Sequence, residues 1–138
     1  MEWRLRAIRG ATTVSQNTVE AIQEAVIEML KELEVKNQLQ PTQIVSATFT
    51  VTRDLDAIFP AAIARQRSCW DNVPMLDVQQ MHVEGSLERC IRCLIHAHLP
   101  VDQTYICHSY LRQAKSLRPD WSSPQQIERS PEALRSHQ

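Results

Sequence analysis

Residues 73–95 contain the polar groups that most need explaining. Two apolar, strand-like runs flank a polar turn at Glu84-Gly85-Ser86. The first run carries Asp77 and Gln80 among apolar neighbours, and the second carries Arg92 between Ile91 and Cys93. A polar group in a buried strand costs several kcal/mol unless something pairs with it. Two pairings are open: an internal Arg–Asp ion pair, or a small polar ligand. A guanidinium grips a carboxylate in two places with its planar fork. Arginine outnumbers lysine by twelve to three in this chain, which favours an anionic ligand, although compositional bias also accounts for the skew.

Cys90 and Cys93 form a Cys-x-x-Cys, and His96, His98 and His108 follow. That arrangement raises the question of zinc. The local period is two, however: Ile91, Cys93, Ile95 and Ala97 alternate with Arg92, Leu94, His96 and His98. On a strand, residues three apart face opposite sides. The two thiols then point apart and cannot share one ion, so no metal site is expected. The four cysteines read as reduced thiols of a cytoplasmic protein.

A chain of 138 residues makes one domain with one real core. A net charge of −1 leaves no basic footprint for nucleic acid. No apolar run approaches the roughly 18 residues of a membrane span. The first residues, Met-Glu-Trp-Arg-Leu-Arg, lack the apolar core of a signal peptide.

The elements that must position these groups follow from periodicity. Residues 3–11 alternate as a first strand and run into Arg9-Gly10-Ala11-Thr12-Thr13. With only two glycines in the chain, Gly10 and Gly85 mark a special backbone position or a close approach. Asn17 and Glu20 suggest a capping box. Ile22, Val26, Met29, Leu30 and Leu33 then form one helical stripe, which should fade near Val35. Residues 44–52 are rich in β-formers. Pro60 suits the first turn of a short helix to about Arg67, with Phe59 just ahead of it. Residues 104–117 read as a last strand with Tyr110 near its middle. From Trp121 onward periodicity stops, giving a domain of residues 1–120 and a flexible tail of 121–138. The order implies an α+β fold, a mixed sheet with its helices on one face.

The chain resembles the trimeric, monofunctional chorismate mutases. Arg6-Ala7-Ile8-Arg9-Gly10-Ala11-Thr12-Thr13-Val14 is similar to their N-terminal signature. Ala57-Ile58-Phe59-Pro60-Ala61, Val73-Pro74, Gly85-Ser86-Leu87, Cys90-Ile91-Arg92, His108-Ser109-Tyr110-Leu111 and Leu117-Arg118-Pro119-Asp120 follow in the family's order. The resemblance implies a ferredoxin-like subunit, a pseudo α/β-barrel homotrimer and sites in clefts between subunits. It also implies rearrangement of chorismate to prephenate, with no cofactor and with neither nucleic acid nor membrane as partner.

Position by position, Arg92 resembles the cation that faces the breaking ether bond. Arg9 resembles the arginine, and Tyr110 the tyrosine, that hold a substrate carboxylate. Phe59 and Leu117 look like apolar walls, and Arg65 and Arg118 like arginines at the mouth. The segment Leu76-Asp77-Val78-Gln79-Gln80 matches one that contacts substrate. Here the chain departs from the pattern, with Asp77 where a cysteine is familiar and Gln80 where a glutamate binds the ring hydroxyl. The catalytic set implied is Arg92, Asp77 and Gln80. The alternative is a trimeric carboxylate-binding or regulatory protein that retains the cleft and turns substrate over weakly.

Overall fold

The structure, a computed structural model, describes residues 2–122. In chain order its elements are β1 (Arg4–Thr13), α1 (Val19–Asn37), β2 (Ile44–Val51), α2 (Pro60–Arg65), β3 (Met75–Gln79), β4 (Cys90–Leu99) and β5 (Ser109–Tyr110). Among the described residues the five strands make one mixed sheet, ordered β3-β2-β4-β1-β5. β4 runs antiparallel to β1 and β2, while β3 lies parallel to β2 and β5 parallel to β1. Both runs of residues 73–95 are strands, but they do not pair with each other, because β2 lies between them. The parallel β2–β3 pair needs a crossover rather than a tight turn, and α2 lies in that crossover.

One face of the sheet carries α1. Ile22, Ala25, Val26, Met29, Leu30 and Leu33 are buried along the helix. A methyl group placed on Gly10 would stand 2.9 Å from Cys93 Sγ, 3.1 Å from Leu33 and 3.2 Å from Met29. Gly10 is therefore the point where β1 approaches the helix too closely for any side chain. Alternation then assigns every face. Gly10 is opposite Cys93, so Cys93 and Ile95 face α1, while Arg9, Ala11, Arg92 and Leu94 face the other way. Cys90 shares the face of Arg92, and the two thiols of the Cys-x-x-Cys do point apart. Burial pushes the Cys93 thiol up to about 12.

Two local readings are corrected. The helix is capped by Thr18, whose side chain accepts from Ala21 N at 3.1 Å, and it runs on to Asn37. Asn17 instead reaches the chain ahead of α2. Its Oδ1 accepts from Asp56 N and Ala57 N at 3.0 and 3.1 Å, and its Nδ2 donates to Asp56 Oδ1 at 2.7 Å. The helix outlasts Val35 because Asn37 has a tertiary use. Its amide is buried, donating to Cys107 O and accepting from Cys107 N, each at 2.8 Å.

The last strand is also much shorter than residues 104–117. Only Ser109 and Tyr110 pair with β1. They are flanked by 3-10 helices at Gln103–Tyr105 and Arg112–Leu117. Arg112 takes a left-handed φ of 54°, donates to Thr13 O at 3.0 Å and meets Glu28 of α1. That anchor turns the chain off the sheet edge. Side chains take over the rest of the β1 edge: Gln103 exchanges two hydrogen bonds with the Ala7 backbone, and His108 accepts from Arg9 N. Trp121 lies within a final 3-10 helix, Pro119–Ser122, rather than in a tail. Of the flexible tail expected over residues 121–138, residues 123–138 fall outside the described residues.

Candidate active site

The sheet registers bring one row of residues together on the helix-free face. Val78 of β3 is opposite Thr50 of β2, Thr50 is opposite Arg92 of β4, Arg92 is opposite Ala11 of β1, and Ala11 is opposite Tyr110 of β5. Arg9 is two residues along β1 from Ala11, on the same face. A small apolar cluster of Ala11, Tyr110 and Ala114, with Leu87, Leu117 and Trp121 against it, covers the β5 end of this face. Leu117 and Arg118 thereby sit beside Tyr110. The Arg118 guanidinium lies 3.4 Å over the Trp121 ring, and Arg9 lies 5.9 Å from the Tyr110 ring and 6.0 Å from that of Trp121.

The charges at this end are nearly all positive. Burial raises the Tyr110 pKa, while Arg9, Arg118 and Arg92 all act to lower it. Arg118 is held by Asp120, at 2.9 and 3.1 Å. Among the described residues neither Arg9 nor Arg92 forms an ion pair. Arg92 Nε, Gln80 Oε1, Thr50 Oγ1 and Tyr110 Oη are buried, and no hydrogen bond reaches them. The internal Arg92–Asp77 pair is not formed. β3 stays regular, so Asp77, opposite Phe49, faces the helix side away from Arg92.

Asp77 belongs to a second feature, a cleft of about 510 Å³ at the β3 edge, lined among others by Phe59, Pro60, Asp77, Val78 and Gln79. Its Oδ1 accepts from Ala61 N at 2.9 Å, so the carboxylate caps the first turn of α2. That bond and the Asn17 bracket hold the Phe59 loop from both sides. Phe59 itself is 69% exposed. Leu76 is exposed on the helix-free face, and Arg65, exposed on the last turn of α2, is not among the residues lining the cleft. The sequence reading gives Thr50, His108 and Trp121 no place in the site, although His108 lies within one of the motifs that carry the resemblance. A threonine in a β-rich run carries no signal, but a tryptophan in a polar stretch did.

His108 links the two ends of the β5 cluster. It accepts the Arg9 N–H at Nδ1 (2.9 Å) and stacks on Trp121 with ring centroids 3.9 Å apart. Burial, and then the Arg9 and Arg118 charges, lower its pKa to about 4, with Asp120 acting the other way. The unfolded chain takes up this proton near 6.5, before the folded protein does. Stability is therefore complete above about pH 6.5 and is lost as pH falls toward about 4, by up to about 3 kcal/mol. His108→Asn keeps an acceptor for Arg9 N without titrating. Melting temperatures across that pH range should show the acid-side slope flattened in the variant. An unchanged slope would assign the loss to another group.

Arg92 Nε, Thr50 Oγ1 and Tyr110 Oη are buried, unbonded groups able to donate to a small anion, with the Arg9 charge beside them. The profile of the chorismate mutase type I family matches residues 5–121. The chain belongs to that family. It is 39% identical over 118 residues to chorismate mutase AroH of Bacillus subtilis, covering 86% of this chain and 93% of that protein. It is 43% identical over 122 residues to chorismate mutase AroH of Thermus thermophilus, covering 88% and 99%. A solved chorismate mutase from Clostridium thermocellum superposes with a TM-score of 0.77 at 45% identity, covering 80% of this chain and 97% of that one. The match to the family ends at Trp121, the last side chain packed on the Tyr110 cluster. No described helix is long and apolar enough to cross a membrane.

Proposed function

We propose that the protein is a cytoplasmic chorismate mutase acting as a homotrimer, with each site closed between two copies. The observation that carries this reading is the row of Thr50, Arg92 and Tyr110 on the helix-free face, whose buried polar atoms have no partner within the chain, with Arg9 along the same face. The row from Val78 to Tyr110 spans four strand spacings, about 19 Å. One copy therefore cannot close both its β3-edge cleft and its Tyr110 end around one small molecule, whereas a neighbour's cleft facing this Tyr110 end can. The helix-free face also exposes Leu5, Leu76, Val78 and Leu94, apolar surface that supports burial against further copies.

The rearrangement breaks one C–O bond and forms one C–C bond within a single molecule, and no proton or electron leaves it. Arg9 and Tyr110 hold a carboxylate, Phe59 and Leu117 press the two halves together, and Arg65 and Arg118 draw the dianion to the mouth. Fixing the folded conformer removes the rotational freedom that opposes reaction. Arg92 meets the negative charge that grows on the ether oxygen, and therefore favours the transition state over the ground state. Gln80 hydrogen-bonds the ring hydroxyl from one side, and the Leu76–Gln80 segment completes the wall. Purified protein should consume chorismate and yield prephenate, without loss after exhaustive chelation. A folded trimer with no turnover would overturn this reading in favour of a carboxylate-binding protein.

Asp77 supplies the negative charge that Gln80 lacks, beside the electron-poor ring of a substrate in the cleft. Asp77→Asn separates this from its structural bond, because the amide oxygen still accepts from Ala61 N while the charge is gone. We expect kcat/KM to fall at least roughly tenfold, about 1.4 kcal/mol, with melting temperature unchanged. Gln80→Glu should be tolerated and should partly rescue Asp77→Asn. A lowered melting temperature with full kcat/KM would make Asp77 a cap for α2 and nothing more.

A further inference from the structure

Asn17 does not cap α1, and its contacts lead elsewhere. Thr18 takes the cap: its side chain accepts from Ala21 N at 3.1 Å, and its carbonyl accepts from Ile22 N at 3.0 Å. The turn that carries Asn17 is thereby fixed to a helix whose inner stripe is buried. From that anchor the exposed Asn17 side chain crosses to the segment between β2 and α2. Its Oδ1 accepts from Asp56 N and Ala57 N at 3.0 and 3.1 Å, and its Nδ2 donates to Asp56 Oδ1 at 2.7 Å.

That segment needs a clamp. Leu55 and Pro60 are buried at its two ends, whereas Asp56, Ala57 and Phe59 between them are exposed. Among the described residues, Asn17 supplies the side-chain bonds to this stretch, and Asp77 reaches only Ala61 beyond it. Residues Asp56, Ala57, Ile58 and Phe59 all line the cleft of about 510 Å³. The loop offers two N–H donors and one carboxylate acceptor. A carboxamide meets them with an oxygen that takes two hydrogen bonds and a nitrogen that gives one. Aspartate at position 17 would set a carboxylate against Asp56, and alanine would leave the loop to water. Exposed bonds of this kind add little to the stability of the fold, because water competes for each of them. Their use lies in the shape of the cleft wall.

We propose that Asn17 is a positioning residue that holds residues 56–59 in the shape that receives substrate, so that Phe59 is in place before binding. The proposal rests on the mutase reading. Without the clamp the loop samples several conformations, and substrate must order it on arrival, which weakens binding. Once substrate is bound the loop is ordered, and Arg92 acts as before. The loss therefore falls on KM rather than on kcat.

The test compares Asn17→Ala and Asn17→Asp with the wild type. Alanine should raise KM for chorismate about tenfold with kcat within about twofold. In a Phe59→Ala background it should add little further, since the side chain it positions is gone. Asn17→Asp should also raise KM, and by less in an Asp56→Asn background, where a donor faces the new carboxylate. Wild-type KM in Asn17→Ala overturns the proposal, whatever the melting temperature does, and so does a loss confined to kcat. A second readout does not depend on turnover: exchange of the Asp56 and Ala57 N–H groups with water, followed by NMR in the protein alone. Faster exchange there in Asn17→Ala, with the Ala21 N–H unchanged, supports the clamp. Equal rates overturn it, and so does faster exchange at all three, which reports a loosened α1. A wild type with no turnover sinks the mutase reading, and the exchange rates still decide the clamp.

Discussion

Arg92→Ala should lower kcat/KM by at least about a hundredfold, on the order of 3 kcal/mol of transition-state stabilisation, as expected for loss of a preorganised donor. Arg92 stands at the centre of the sheet, flanked by Thr50 and Ala11, and its Nε is buried and unbonded. Burial raises the pKa of the Cys90 thiol on the same face, and the charge of Arg92 and a hydrogen bond from it lower that pKa. The fold therefore loses little with the side chain, and the melting temperature should not fall. Arg9 and Arg118 cannot replace it, because both are engaged at the Tyr110 end. Lysine should rescue only partly, since a point charge has no fork. Steady-state kinetics decide the matter, and an Arg92→Ala variant within twofold of wild type would refute the assignment.

Co-expressing two crippled variants should regenerate activity. Phe59→Glu places a carboxylate on an exposed loop, where the fold tolerates it but a dianionic substrate does not. We expect turnover to fall about a hundredfold. Arg92→Ala damages the other half of the site. If each site takes Phe59 from one copy and Arg92 from the next, random co-assembly leaves about one site in four with both halves intact. Co-expressed variants should thus recover about a quarter of wild-type activity, while separately purified variants mixed without dissociation should not. Sedimentation of every preparation should show one species near three times the 15.9 kDa chain. Co-expression that never exceeds the sum of the two variants would place both halves within one copy.

The period of two along residues 90–99 and the stripe from Ile22 to Leu33 are local properties. For that reason the faces of β4, the buried side of α1 and the separation of Cys90 from Cys93 could be read directly from residue order. The polar residues stranded in apolar runs, Asp77, Gln80 and Arg92, were visible for the same reason: burial makes an unpaired polar group conspicuous. Pairing between strands is a long-range property, and periodicity does not carry it. Only the folded chain inserts β2 between the two runs of residues 73–95. That insertion sets Thr50 against Arg92 and sends Asp77 to the cleft instead of into an ion pair. Local signals also lost wherever a tertiary partner competed for the same group. Asn17 left its helix to bracket Asp56 and Ala57. Asn37 extended the helix by bonding to Cys107. Arg112 ended β5 after two residues by anchoring to Thr13 and Glu28. Residue order determines which side chains a strand offers to each face, and only the tertiary structure decides which of them meet, because the partners lie tens of residues away.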